Sequence, residues 1–121
     1  MTDNFVTYWK QLRARRHRQN QASSQAARRD LVQIVQLLRN NYGVQRLILF
    51  GSLAKGQFTT ESDIDLAVAG LSPTDFFDAC AQVNRLTRFS VDLKPLESLH
   101  PHFRQRILSK GEIIYEADDV I

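Results

Sequence analysis

Three aspartates and a glycine–serine turn are the residues of this chain whose types and spacing suit one chemistry. Asp63 and Asp65 stand two apart in the run Asp63-Ile64-Asp65-Leu66-Ala67-Val68, and on an extended strand such residues share a face. Two carboxylates side by side, with no arginine near them in sequence, repel each other. A divalent cation offsets that repulsion. Mg²⁺ suits the position because it takes one or two carboxylates, keeps several waters and completes its shell with substrate phosphates. Upstream, Phe50-Gly51-Ser52-Leu53-Ala54-Lys55-Gly56 reads as a strand entering a turn. Glycine permits the tight turn and close backbone approach. The N–H groups that open a helical turn over Ser52–Lys55 favour a phosphate, and Ser52 adds a hydroxyl to the same cradle. Asp92, between Val91 and Leu93, is a third acid with apolar neighbours facing the other way. Beside the first pair it is suited to ligate a second ion or to take the proton of an attacking hydroxyl. Two-metal sites stabilise both oxygens of an in-line phosphoryl displacement.

Several elements must position these groups. Leu31, Ile34, Val35, Leu38 and Tyr42 follow the spacing of a core-facing helix, and Gly43 fits its C′ position. Residues 44–50 read as a buried strand. Residues 63–70 alternate, with Ile64, Leu66 and Val68 facing the core and the acids facing away. Ser72-Pro73-Thr74-Asp75 starts a helix that the pattern extends to Arg88, with serine at the N-cap and proline at N1. A strand is expected over 90–94, a helix from Pro101 to Gly111, and a last strand over 112–116. The order predicts an α/β (α+β) domain with a small mixed sheet.

At 121 residues and 43% hydrophobic content the chain has the size and composition of one folded domain. No apolar run approaches the ~20 residues of a membrane span, and the N-terminus shows no secretory signal, so a cytoplasmic protein is expected. One cysteine, Cys80, allows no internal disulfide and no cysteine-based zinc cluster, and reads as a small buried hydrophobe. The charge is uneven. Residues 1–30 carry a net +5, including Arg13, Arg15, Arg16 and Arg18, whereas residues 31–121 carry a net −2. Phe5, Trp9 and Leu12 predict an amphipathic helix over 1–13, while 17–25 is either a linker or a continuation of it. The division expected is a basic arm over 1–27 and a catalytic domain over 28–121. His17, His100, His102, Arg46 and Glu61 read as solvated side chains, Ser62 as a turn former and Tyr115 as packing.

Taken together, Gly51-Ser52, ten residues, Asp63-Ile64-Asp65, then Val91-Asp92-Leu93 and the ending Lys110-Gly111-Glu112-Ile113-Ile114-Tyr115-Glu116 resemble the DNA polymerase β-type nucleotidyltransferases. Among these the chain is similar to the minimal nucleotidyltransferases, many of them antitoxins paired with a HEPN-domain RNase toxin. The resemblance spans residues 28–117. It implies a polymerase β-like fold, Mg²⁺ as cofactor (two ions), ATP as co-substrate, and transfer of AMP to a hydroxyl, in the antitoxin branch a tyrosine of the toxin. It assigns Gly51, Ser52 and Lys55 to the nucleotide phosphates, and Asp63, Asp65 and Asp92 to the metals and to catalysis. One position departs from the family pattern: Leu53 stands where relatives commonly carry arginine, leaving Lys55 as a point charge without the bidentate fork. The alternatives are an antitoxin that neutralises by binding alone and, ranked last, a nucleic-acid-binding role for the basic arm.

Overall fold

The computed structural model describes the backbone of residues 2–118 and the side chains of 4–118; the last residues of the expected 28–121 domain, 119–121, lie outside it. The elements run α1 (Thr2–Tyr42), β1 (Arg46–Phe50), a single turn α2 (Gly51–Ala54), β2 (Ile64–Ala69), α3 (Phe76–Arg85), β3 (Val91–Pro95), α4 (Pro101–Lys110) and β4 (Glu112–Glu116). The four strands form one mixed sheet in the order β3-β2-β1-β4. β1 pairs antiparallel with β2 and β4, while β3 lies parallel to β2 after the α3 crossover.

α1 is one unbroken helix, so the linker reading of residues 17–25 gives way to the helical one. The first 42 residues contain neither glycine nor proline, and the polar stretch is made of glutamine and alanine, good helix formers, with asparagine and serine among them. The helix also finds something to pack on. Ser23, Ala27, Leu31, Ile34 and Leu38 form one buried stripe, and His17, Asn20, Gln21 and Ser24 border a groove closed by Gly56, Gln57 and Phe58. The helix stops at Gly43, whose φ of +62° is the left-handed value; its N–H donates to the Arg39 carbonyl at 3.2 Å, an αL cap. The N-terminal part of α1 is mostly exposed, and Phe5, Tyr8 and Trp9 remain 64%, 60% and 45% exposed.

The sheet has two differently used faces. Leu47, Leu49, Ile64, Leu66, Val68, Val91 and Leu93 pack under α1 and α3 in the main core. On the opposite face Ile48 and Ala67 pack with Leu96 and Ile107, flanked by Phe50 and Phe103. α3 is shorter than the spacing suggests. Pro73–Asp75 make a 3₁₀ turn, Ser72 Oγ bonds Thr74 Oγ1 rather than capping, and the helix ends at Arg85, not Arg88.

Candidate active site

Strand register brings the acids together. Asp65 of β2 is paired directly with Asp92 of β3, and on its other side with Phe50 of β1. Adjacent strands lie about 4.8 Å apart, and in-register side chains of parallel strands share a face. Asp65 and Asp92 therefore project side by side on the α4 face, while Ile64, Leu66, Val91 and Leu93 anchor the same strands in the main core. Asp63 departs from the expected position on the strand. β2 begins at Ile64, and Asp63 is exposed at the end of a turn closed by Thr59 N–H donating to Ser62 Oγ at 2.9 Å and Ser62 N–H to the Thr59 carbonyl at 3.1 Å.

The Gly51-Ser52 turn meets this cluster through Gly51. Its φ is +74°, and a Cβ there would collide with the Asp65 carboxylate. Only glycine satisfies both the backbone conformation and the contact. α2 starts at that residue, so its first N–H groups have no intrahelical partner, and they open where the acids lie. Lys55, after the turn, is exposed and lines a cavity of about 390 Å³ together with Gly51. Leu53 is buried in the main core and its carbonyl accepts from Arg28 Nη2 at 3.4 Å. The departure from the family pattern is thus a core contact, away from the carboxylates.

The electrostatics show what this arrangement lacks. Burial, then the charges of Asp92 and Asp63, push the Asp65 carboxyl above its ordinary value, with Lys94 pulling the other way. Lys94 Nζ lies 3.0 Å from Asp92 Oδ2. Three acidic groups against one lysine make a site of negative potential suited to a cation. Among the described residues no three His, Cys, Asp or Glu side chains converge into a ready-made metal cage. The expected trio is therefore looser than a closed cage, because Asp63 sits in a turn and Asp92 is drawn to Lys94. Oxygen-only donors with open positions nevertheless fit Mg²⁺, which is bound by one or two carboxylates plus phosphates rather than by an all-protein cage.

Two contributors were not recognised in the sequence. Lys94 was readable from the period of two, since Asp92 and Lys94 must share a face. Asn84 had no local signal. Its side chain accepts from Val91 N–H at 2.9 Å and donates to the Val91 carbonyl at 3.2 Å and to the Cys80 carbonyl at 2.8 Å. It thereby satisfies the free edge of β3 one residue before Asp92. Of the side chains read as bystanders, His100 caps α4 by accepting from His102 N–H at 3.2 Å, and Arg46 pairs with Glu116 at 2.7 Å. Cys80 is half-buried on α3, its thiol pushed up by burial and then by the Asp92 charge.

Comparison with known proteins agrees with this geometry. The family model described as polymerase beta, nucleotidyltransferase, matches residues 32–120. The chain belongs to that nucleotidyltransferase family. It is 28% identical over 94 residues to "Putative protein adenylyltransferase MJ0604" of Methanocaldococcus jannaschii, covering 69% of this chain and 92% of that one. Among solved structures, a toxin–antitoxin complex with AMP-PNP superposes with a TM-score of 0.63 at 28% identity, over 70% of this chain and 72% of the other. A "putative minimal nucleotidyltransferase" superposes at 0.57 with 26% identity, over 84% and 91%. The nucleotidyltransferase fold and enzyme class are those expected from the motif. No helix among the described residues is long and apolar enough to cross a membrane.

Proposed function

We propose that the chain is an antitoxin that transfers AMP from ATP to a hydroxyl of a partner protein, a tyrosine of a HEPN-domain RNase toxin, in the cytoplasm. The observation that carries the reading is the registered pair Asp65 and Asp92 with Gly51 pressed against Asp65. This brings carboxylates and a phosphate-accepting turn to one point. The relative named as a protein adenylyltransferase and the toxin–antitoxin structure holding AMP-PNP support the choice of nucleotide and of acceptor class.

In the reaction, the acceptor oxygen attacks the α-phosphorus, the α–β phosphoanhydride bond breaks, and pyrophosphate leaves with the electron pair. Asp92 takes the hydroxyl proton, as general-base work requires. Gly51 and Ser52 hold the phosphates, and Lys55 adds a charge to them. Asp63, Asp65 and Asp92 would hold Mg²⁺, which when bound neutralises the phosphates and polarises the reacting oxygens. Asp65 is the central residue, lying between Gly51 and Asp92.

The acids and the turn serve the nucleotide half of the reaction. A partner that brings its own hydroxyl supplies the rest. The test is incubation of the chain and its co-purified partner with α-labelled ATP and Mg²⁺. Label is expected on the partner with the wild type and not with Asp63→Ala/Asp65→Ala. Neutralisation that survives in the acid variant but is lost on deleting residues 1–20 would instead establish blocking by occupancy, through the exposed Phe5, Tyr8 and Trp9 surface.

A further inference from the structure

The cavity beside Gly51 is lined by cations that come from two separate parts of the chain. Lys55 follows α2, while Arg106 and Lys110 come from α4, and all three are exposed at the rim of the same cavity. Its floor is apolar, made by Phe50, Phe103 and Ile107, with Phe50 and Phe103 in edge-to-face contact at 5.9 Å. Among the described residues no acidic side chain lines it. Lys55, Arg106 and Lys110 form no ion pair among the described residues, unlike Arg28, Arg46 and Lys94 but like Arg29, Arg39, Arg85, Arg88 and Arg104.

The placement follows from helix geometry. Phe103, Arg106, Ile107 and Lys110 recur at i, i+3, i+4 and i+7 and so share a face of α4. The two apolar members seat the helix on Phe50 and Ile48, which aims the two basic members along the cavity edge. Like charges at i, i+4 destabilise an isolated helix, and an anion across both would reverse that effect. Gly51 lies between the two sets of charges: its Cα faces the Asp65 carboxylate, and it also lines the basic cavity. The outer phosphates of a nucleotide carry the charge that Lys55, Arg106 and Lys110 would attract.

We infer that this cavity is a pyrophosphate pocket in which Arg106 and Lys110 of α4, with Lys55, hold the β- and γ-phosphates and receive the pyrophosphate as the α–β bond breaks. Residue 53 adds no charge there, being a leucine buried in the core. Two of the three cations that face the outer phosphates therefore come from α4, far along the chain from the turn. The inference rests on the adenylyl-transfer reading and can fail separately from it.

The test is calorimetric titration of the full chain with inorganic tripolyphosphate in EDTA, alongside AMP transfer to the co-purified partner. Arg106→Gln/Lys110→Gln is expected to weaken tripolyphosphate binding about a hundredfold, roughly tenfold for each charge-assisted hydrogen bond removed. The charge-keeping Arg106→Lys/Lys110→Arg retains binding, which separates charge from folding. Equal tripolyphosphate affinity in the wild type and Arg106→Gln/Lys110→Gln, or no binding by the wild type, overturns the pocket. Transfer with an unchanged KM for ATP in Arg106→Gln/Lys110→Gln also overturns it, while leaving the adenylyl-transfer reading intact. Tripolyphosphate binding that depends on Arg106 and Lys110 without any AMP transfer upholds the pocket and removes the transfer reading.

Discussion

The two faces of the sheet are built from the same strands and are put to opposite uses. Under α1 and α3, every inward residue of β2 and β3 from Ile64 to Leu93 is an aliphatic side chain, 7% exposed or less. On the other face the same strands present Asp65, Asp92 and Lys94, while Ala67 is buried with Ile48 of β1, with Leu96 and with Ile107 of α4. One face stabilises the fold and thereby fixes the register; the other face uses that register to hold like charges together. A one-residue slip of β3 would turn Asp92 into the core and Val91 and Leu93 out, so aliphatic packing is what specifies the acidic pair.

The comparison is tested most strongly by substitutions on opposite faces. Asp65→Asn is expected to lower AMP transfer by about 10³-fold or more, within the range for losing a group that acts in the transition state. The same change should raise the Tm of the metal-free protein at neutral pH. The sign follows from the carboxyl being raised in the folded state by burial and by its acidic neighbours. Charging Asp65 above that value costs folding stability, and the cost vanishes as pH falls below the unfolded value near 4. The stability gap between Asp65→Asn and the wild type should therefore be widest at neutral pH and close on acidification; a gap independent of pH would contradict the proposed origin.

On the aliphatic face Leu66→Ala is expected to cost about 2–5 kcal/mol in denaturant unfolding, as buried leucine truncations do. Activity per folded molecule should fall less than in Asp65→Asn. Gly51→Ala joins the two faces: it strains a φ of +74° and displaces the Asp65 carboxylate, at a cost of about 1–3 kcal/mol. It should lose transfer even where folding survives, as circular dichroism and label transfer on the same sample would show. Asn84→Leu leaves the Val91 edge groups unpaired and should cost about 1–3 kcal/mol, with hydrogen exchange at β3 accelerated ahead of β1. Arg28→Ala is the smallest change. Its pair with Glu112 is bidentate at 2.7 and 2.9 Å but about 40% exposed, so a loss of about 0.2–1 kcal/mol is expected.

Much of this arrangement was legible because it rests on local rules. Alternation identified which residues of β2 and β3 face together, Gly43 marked the end of α1, and Gly51-Ser52 with Asp63-x-Asp65 marked the candidate site. What escaped was decided by tertiary contact. Residues 17–25 have no apolar periodicity, yet they continue the helix because nothing in them breaks it and Ser23 packs with the stripe that follows. Asp63 falls off the strand because the Thr59–Ser62 turn runs up to it. Asn84 and the α4 cations act across long sequence separations, which no window of the sequence reports.

The most direct measurement of the central claim is the intact mass of the partner protein after co-expression with this chain. Wild-type chain should leave the partner heavier by one or more adenylate-sized increments, and Asp63→Ala/Asp65→Ala should leave it at its unmodified mass. A partner that is neutralised yet carries no increment, or carries it equally with the acid variant, would contradict the claim that these carboxylates transfer AMP.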